Sequence, residues 1–384
     1  MRKICVITGS RAEYGLLSRL IAAIDNDKDL QLQIIATNMH LSPEFGLTYK
    51  EIEQDGFVID RKVEMLLSSD TANGTTKSVG LATIGFADAF EDLHPDIIVV
   101  LGDRYEILAA VTASLFYKIP VAHIHGGEIT EGAYDNSIRH AITKLSHLHF
   151  SSTEDYRRRV IQLGESPDSV FYVGSLGVEN ISQFKLLNKP ELEKSLGFEL
   201  GDRSLLVTYH PVTLEPDLAG EQCEHLLLVL NELSNYNIIF TLPNSDTGGS
   251  IIKKLILNFV SENQKRAIAL SSMGVIRYLS TLQFVNAVVG NSSSGIIEAP
   301  SFGIPTLNIG DRQKGRTAAD SVYHTGTSEK EIRRGIQQIL STSIQKKSKN
   351  AVNPYQKKDT AIQIIDVLKS YPLKNIIQKT FYNL

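Results

Sequence analysis

Ile97-Ile98-Val99-Val100-Leu101-Gly102-Asp103-Arg104 decides the fold of this chain. Five consecutive apolar positions leave no polar face, the mark of a parallel strand covered on both sides. The run ends in a glycine and two charges, and a helical pattern, Tyr105–Tyr117, follows at once. Open α/β sheets bind ligands at such junctions, because helix N-termini offer unbonded N–H groups and partial positive charge. The same junction recurs outward along the chain. Ser10-Arg11-Ala12-Glu13-Tyr14-Gly15 follows a first strand, His123-Ile124-His125-Gly126-Gly127-Glu128 closes another, and Gly290-Asn291-Ser292-Ser293-Ser294-Gly295 lies at one near the far end. Ligand groups are therefore expected from two separate sheets.

Strand and helix patterns alternate almost throughout. Strands are expected at 3–8, 32–37, 97–101, 119–124 and 169–173, with helices such as 14–25 and 105–117 between them. Gly174-Ser175-Leu176-Gly177 breaks the pattern and is read as a hinge. Strands then resume at 204–209, 238–242, 267–270, 285–289 and 306–309. A helix at 327–340 opens with a capping box, Ser328 and Glu331, and carries Ile332, Ile336, Ile339 and Leu340 on one face. The Lys-rich stretch 345–349 reads as a surface loop, and 360–369 as a final amphipathic helix. The expected class is α/β: two Rossmann-like domains facing a cleft, at 1–175 and 176–358, with 359–384 packing back on the first.

Composition narrows the function classes. The chain has 384 residues, 42% hydrophobic and 21% charged, and a formal net charge of −4. That charge gives no footprint for nucleic acid or an anionic membrane. No apolar run approaches the roughly 18 residues of a spanning helix. The first residues read as a strand and not a signal peptide. Cys5 and Cys223 are isolated, so a disulfide and a structural zinc site are both unexpected. A cytoplasmic enzyme is the default.

Each candidate site residue has a plainer role to weigh. Arg11, at a helix start, suits a bidentate phosphate grip, or a surface pair with Glu13. Asp103 and Arg104 follow the buried strand; Asp103 points into the cleft or caps the helix. Strand alternation sends His123 and His125 to one side, where one is expected to be a satisfied core histidine. The paired glycines let the backbone approach a ligand, while two His and one Glu make a weak metal set. Asp135 and Arg139 are spaced i, i+4 on an expected helix, Asp135–Leu145. Asp135 extends the apolar stripe Ile138, Ala141, Ile142 and Leu145, so it faces inward; the alternative is a surface ion pair. In the second domain His210-Pro211, the 244–249 loop with Asn244 and Asp246, and Ser292 and Ser293 with Glu298 all end strands. Hydroxyls and N–H groups suit a diphosphate and a carboxylate suits ribose, though a serine run is also a common flexible loop. Arg312 and Arg316 add anion-binding charge.

At these residues the chain resembles the hydrolysing UDP-N-acetylglucosamine 2-epimerases of bacterial sialic acid synthesis, over about residues 1–370. The shared pieces are Thr8-Gly9-Ser10-Arg11-Ala12-Glu13-Tyr14-Gly15, Gly102-Asp103-Arg104, the 123–128 segment, Ser137-Ile138-Arg139-His140, His210-Pro211, Gly290 to Gly295 with Glu298, the 308–316 segment and Asn353-Pro354-Tyr355. The resemblance implies a GT-B type fold whose C-terminal helix returns to the first domain. It implies nucleotide contacts from Arg11, Arg104, Asn244, Asp246, Ser292, Ser293, Glu298 and Arg312. It implies chemistry at Asp103, Asp135, Arg139 and His210. Many relatives carry Glu in the middle of the His-Ile-x-Gly-Gly-Glu segment where this chain has His125. The acid/base duty of that Glu then falls on His125, Glu128 or Asp135. His125 is also similar to a bacterial subgroup that includes enzymes acting on the 4-acetamido-4,6-dideoxy analogue leading to legionaminic acid.

The implied reaction eliminates UDP from UDP-GlcNAc to a 2-acetamidoglucal, and water then yields N-acetylmannosamine. No cofactor and no metal are expected. The partners expected are a UDP-sugar substrate and further copies of the chain (a dimer or tetramer), with neither nucleic acid nor membrane. The rival readings are the same reaction on UDP-2,4-diacetamido-2,4,6-trideoxy-glucose, a non-hydrolysing epimerase, a GT-B glycosyltransferase, and a silent UDP-sugar sensor.

Overall fold

The structure, a computed structural model, describes residues 1–67, 71–212, 218–243 and 248–384. The chain divides into two compact units. The first comprises Met1–Glu128, Asp135–Asn180 and Tyr355–Leu384, and the second Ile129–Tyr134 and Ile181–Pro354.

Strands Arg2–Thr8 (β1), Leu30–Thr37 (β2), Arg61–Val63 (β3), Ile97–Leu101 (β4), Val121–Ile124 (β5), Leu148–Ser151 (β6) and Val170–Tyr172 (β7) form the first sheet. Its order is β3-β2-β1-β4-β5-β6-β7, and every pairing is parallel. The pleat explains why β1 and β4 are apolar at successive positions. Ile4, Val6, Ile97 and Val99 enter one core with Leu17, Leu20 and Ile21 of the helix Arg11–Asp25. Cys5, Ile7, Ile98 and Val100 enter the opposite core with Phe86, Phe90, Ile107 and Ala110. Side chains alternate across a strand, so both faces must be covered.

Strands Ser204–Thr208 (β8), Asn237–Thr241 (β9), Ala267–Leu270 (β10), Ala287–Gly290 (β11), Thr306–Ile309 (β12) and Val322–Thr325 (β13) form the second sheet, again parallel. Its order is β10-β9-β8-β11-β12-β13. Here too the pleat splits the strands: Leu205, Val207 and Val289 pack with Ile332, Ile336 and Ile339, while Leu206 and Val288 pack with Leu279 and Leu282. In each sheet the chain runs outward on one side and then restarts on the other. That reversal leaves a switch point between β1 and β4 in one sheet and between β8 and β11 in the other, the position where open sheets receive ligands.

The final helix, Thr360–Ser370, belongs to the first unit. Ala361, Ile364, Ile365 and Leu368 join the core formed by Leu17, Leu20 and Ile24, and Lys369 reaches Asp27 at 2.9 Å.

Several sequence expectations are adjusted. The first helix begins at Arg11, not at 14, because Ser10 caps it: Ser10 Oγ accepts from Glu13 N at 3.3 Å. The capping box at Ser328 and Glu331 forms as expected. The stretch 345–349 is not a loop but falls largely within the helix Thr342–Ser348, pinned by Gln345 Nε2 donating to Asn286 O and Ile339 O, both at 2.9 Å. The break at Gly174 is a turn, with φ at +86°, and the units divide five residues past the expected boundary, after Asn180 rather than 175. The helix Leu176–Gln183 begins in the first unit, because Asn180 Nδ2 donates to Gly15 O at 3.0 Å and Glu179 accepts from Ala361 N at 3.1 Å. The return to the first unit likewise starts at Tyr355 rather than 359.

Candidate active site

In the first unit the expected residues collect at the C-terminal ends of β1, β4 and β5. Arg11 opens its helix and pairs with Glu51, Nε to Oε2 at 2.6 Å. It does not pair with Glu13, whose Oε2 accepts instead from Gly9 N at 2.6 Å. Asp103 follows β4 and forms an ion pair with Arg139. The N-cap position of Tyr105–Tyr117 is Arg104, so Asp103 is spared the capping role. Arg104 Nε donates to Glu106 Oε1 at 2.8 Å.

The two histidines after β4 have different duties. His123 is fully buried and its Nε2 donates to Gly102 O at 2.7 Å. Burial drives its pKa down to about 3, so it stays neutral and braces the glycine that precedes Asp103. It is the core histidine of the pair. His125 lies past the strand, because β5 ends at Ile124 and His125 turns to φ +66°. That left-handed turn brings His125 Nδ1 to 3.6 Å from Glu128 Oε1. Ser152 Oγ donates to the same oxygen at 2.7 Å. Gly127 sits at φ +79°, where a Cβ would strike the Tyr156 backbone. The tight glycine turn thus folds His125 and Glu128 together.

Asp135 and Arg139 lie on the buried side of Asp135–Leu145 with Ile142 and Thr143. The expected stripe differs at Ala141, which is exposed. Arg139, only 3% exposed, links this helix to Asp103 at the end of β4. A buried guanidinium needs a partner of opposite charge, and Asp103 supplies it.

In the second unit β8 and β11 carry the candidates. Asn291 clasps both strand ends: its Oδ1 accepts from His210 N at 2.7 Å and its Nδ2 donates to His210 O at 2.8 Å. Asn291 O in turn accepts from Arg312 Nη1 at 3.2 Å and from Gln313 Nε2 at 3.0 Å. Ser292 Oγ accepts from Ser294 N at 3.4 Å, and Ser293 stands at the N-cap position of the short helix Ser294–Ile297, which leads directly to Glu298. Gly290 allows the close approach of β8, since a Cβ there would meet Thr208 C at 2.7 Å. Asn244 and Asp246 lie outside the described residues. Ile129–Tyr134 packs with this unit: Glu131 N donates to Lys314 O at 3.3 Å, and a Cβ on Gly132 would meet Asp311 O at 2.6 Å.

Sequence reasoning singled out neither Asn291 nor Ser152 as a site residue. Asn291 had a signal, its place between a glycine and a serine run at a strand end. Ser152 had none. Among the described residues no group of three or more His, Cys, Asp or Glu side chains could hold a metal ion, and no helix is long and apolar enough to cross a membrane.

Two parallel sheets, each with polar residues at its switch point, define an α/β protein of the GT-B type. Residues 22–369 match the UDP-N-acetylglucosamine 2-epimerase family, and the chain belongs to it. It is 48% identical, over 84% of this chain and 83% of the relative, to the hydrolysing GDP/UDP-N,N'-diacetylbacillosamine 2-epimerase of Campylobacter jejuni. It is 39% identical, over 100% of this chain and 98% of the relative, to the polysialic acid biosynthesis protein P7 of Escherichia coli. Its fold is similar to that of the UDP-GlcNAc 2-epimerase of Neisseria meningitidis bound to UDP-GlcNAc, with a TM-score of 0.79 and 19% identity over 95% of this chain and 99% of that one.

Proposed function

We propose that the chain is a hydrolysing 2-epimerase: it cleaves a UDP-activated 2-acetamido sugar to UDP and the free sugar inverted at C2. The observation that carries this reading is the placement of the pairs Asp103–Arg139 and His125–Glu128 at the C-terminal ends of β4 and β5, in a member of this family. C2–H is a poor acid, so the anomeric C–O bond breaks early and its electron pair leaves with UDP. A carboxylate, Asp103 or Asp135, stabilises the cationic ring and takes the C2 proton, leaving a C1–C2 double bond. Arg11, Arg104, Arg312, Ser292, Ser293, Asn244 and Asp246 serve the nucleotide and its diphosphate, and Glu298 the ribose. Water then adds its oxygen to C1, and C2 takes a proton on the opposite face. His125, Glu128 and His210 are the groups proposed for that step, and His125 Nδ1 and Glu128 Oε1, 3.6 Å apart, lie within ion-pair range of each other.

For the sugar, the 48% identity to an enzyme named for N,N'-diacetylbacillosamine favours UDP-2,4-diacetamido-2,4,6-trideoxy-glucose over UDP-GlcNAc. The product would feed nonulosonic acid synthesis, by the legionaminic route for the first sugar and the sialic route for the second. We also propose a homo-oligomer, a dimer or tetramer, which light scattering would size.

Incubation with each UDP-sugar, followed by proton NMR, tests the reading. Free manno-configured sugar and UDP are expected, formed faster from the diacetamido substrate. A UDP-linked epimer, or no reaction without an acceptor, would overturn it.

A further inference from the structure

Two buried carboxyl groups flank the switch point of the first sheet and have no part in the reaction above. Glu13, on the helix Arg11–Asp25, is 6% exposed, and Glu106, on Tyr105–Tyr117, is 0% exposed. Each has one oxygen engaged, Glu13 Oε2 by Gly9 N and Glu106 Oε1 by Arg104 Nε. Glu13 Oε1 and Glu106 Oε2 are buried with no hydrogen-bond partner among the described residues. The backbone is fitted around Glu106, for a Cβ at Gly9 would meet its Cγ at 2.8 Å. A buried carboxylate is costly, and packing alone would favour an apolar side chain there.

We propose that Glu106 is a positioning residue: it holds the Arg104 guanidinium by Nε in the orientation that meets the diphosphate of the UDP-sugar, and Glu13 sets the net charge beside it. This rests on the reading of Arg104 as a diphosphate contact. The bond through Nε takes none of the four hydrogens on the terminal nitrogens, the donors a phosphate engages as a fork. The Glu106 carboxylate also cancels the charge of Arg104, so a second ionised carboxylate would leave the group negative and repel a diphosphate. Burial, and then the charge of Glu106, push Glu13 up to about 8, so Glu13 holds a proton at neutral pH. The charged groups acting on Glu13 are Glu106 and Arg104, at the start of the helix after β4.

UDP binding by calorimetry tests this. Arg104→Ala and Glu106→Gln should each weaken UDP roughly tenfold or more, the range of a lost charge-assisted contact. The double variant should bind no more weakly than Arg104→Ala. Glu106→Asp, which keeps the charge but shortens the strut, should also weaken UDP, and guards against a Glu106→Gln protein that does not fold. Unchanged binding in Arg104→Ala would remove the reading of Arg104 itself, and the proposal with it. Weakened binding in Arg104→Ala with wild-type binding in both Glu106 variants would overturn the positioning role alone. Between pH 7 and 9 the affinity of the wild type should fall relative to Glu13→Gln, as Glu13 ionises; parallel profiles would overturn the role given to Glu13.

Discussion

Asp103 is at once the proposed partner of a cationic sugar and the counter-charge of buried Arg139. Its replacement therefore tests chemistry and stability together. Asp103→Asn should lower turnover at least ~100-fold and also lower stability by roughly 1–3 kcal/mol, because Arg139 keeps its burial and loses its charge-assisted bond. Asp135→Asn should lose turnover to a similar degree while retaining UDP binding. In both variants UDP release itself slows. His125→Gln should instead release UDP and accumulate the glucal, visible as an alkene signal by NMR. Near-normal turnover in both aspartate variants would remove the mechanism, and glucal accumulation in either would exchange the two steps. The sequence exposed Asp103 and His125 because each follows a glycine or a strand end, and Asp135 because it extends the apolar stripe of its helix. Alternation alone could not place His125, because it holds only while a strand continues, and here the strand stops one residue earlier. The sequence also left open whether Asp103 caps a helix. The structure resolves that choice: Arg104 takes the N-cap position, and Arg139, on a helix far away in sequence, takes Asp103.

At the scale of elements, the strands with unbroken apolar runs were legible and the polar ones were not. Leu148-His149-Phe150-Ser151 was passed over because two of its four residues are polar, yet all four are buried. His149 is tolerated there because its Nε2 lies 3.0 Å from Glu165, a partner supplied by a distant loop. Arg61–Val63 and Val322–Thr325 are edge strands, which need no long hydrophobic pattern. The helix Thr360–Ser370 was legible as amphipathic, but its docking site was not, since nothing local names the helix Arg11–Asp25 as its neighbour. Its contribution can be measured. Leu368 is fully buried against that helix, so Leu368→Ala should cost roughly 2–5 kcal/mol in urea unfolding. A loss below ~1 kcal/mol would mean that the final helix is not integral to the first unit.

For the molecule as a whole, acid stability should be governed in part by one buried carboxylate. Glu165 accepts from His149, and Lys144 and Lys379 stand at 2.5 and 2.7 Å. Burial alone would raise its pKa, but the bonds from these partners outweigh it and hold Glu165 down to about 2, against an ordinary 4.5. A depressed carboxylate contributes stability that is complete above pH ~4.5 and is lost as pH falls toward ~2. Stability measured across that window should fall more steeply in the wild type than in Glu165→Gln, and equal slopes would refute the assignment. The path of the chain between the units has a separate consequence, for recombination. Ile129–Tyr134 lies with the second unit while Glu128 and Asp135, on either side of it, lie with the first, and the chain crosses again after Asn180 and at Tyr355. A hybrid built from two relatives by a single crossover therefore always splits a unit from part of itself. Only a graft with four junctions, carrying 129–134 along with 181–354, transfers an intact half.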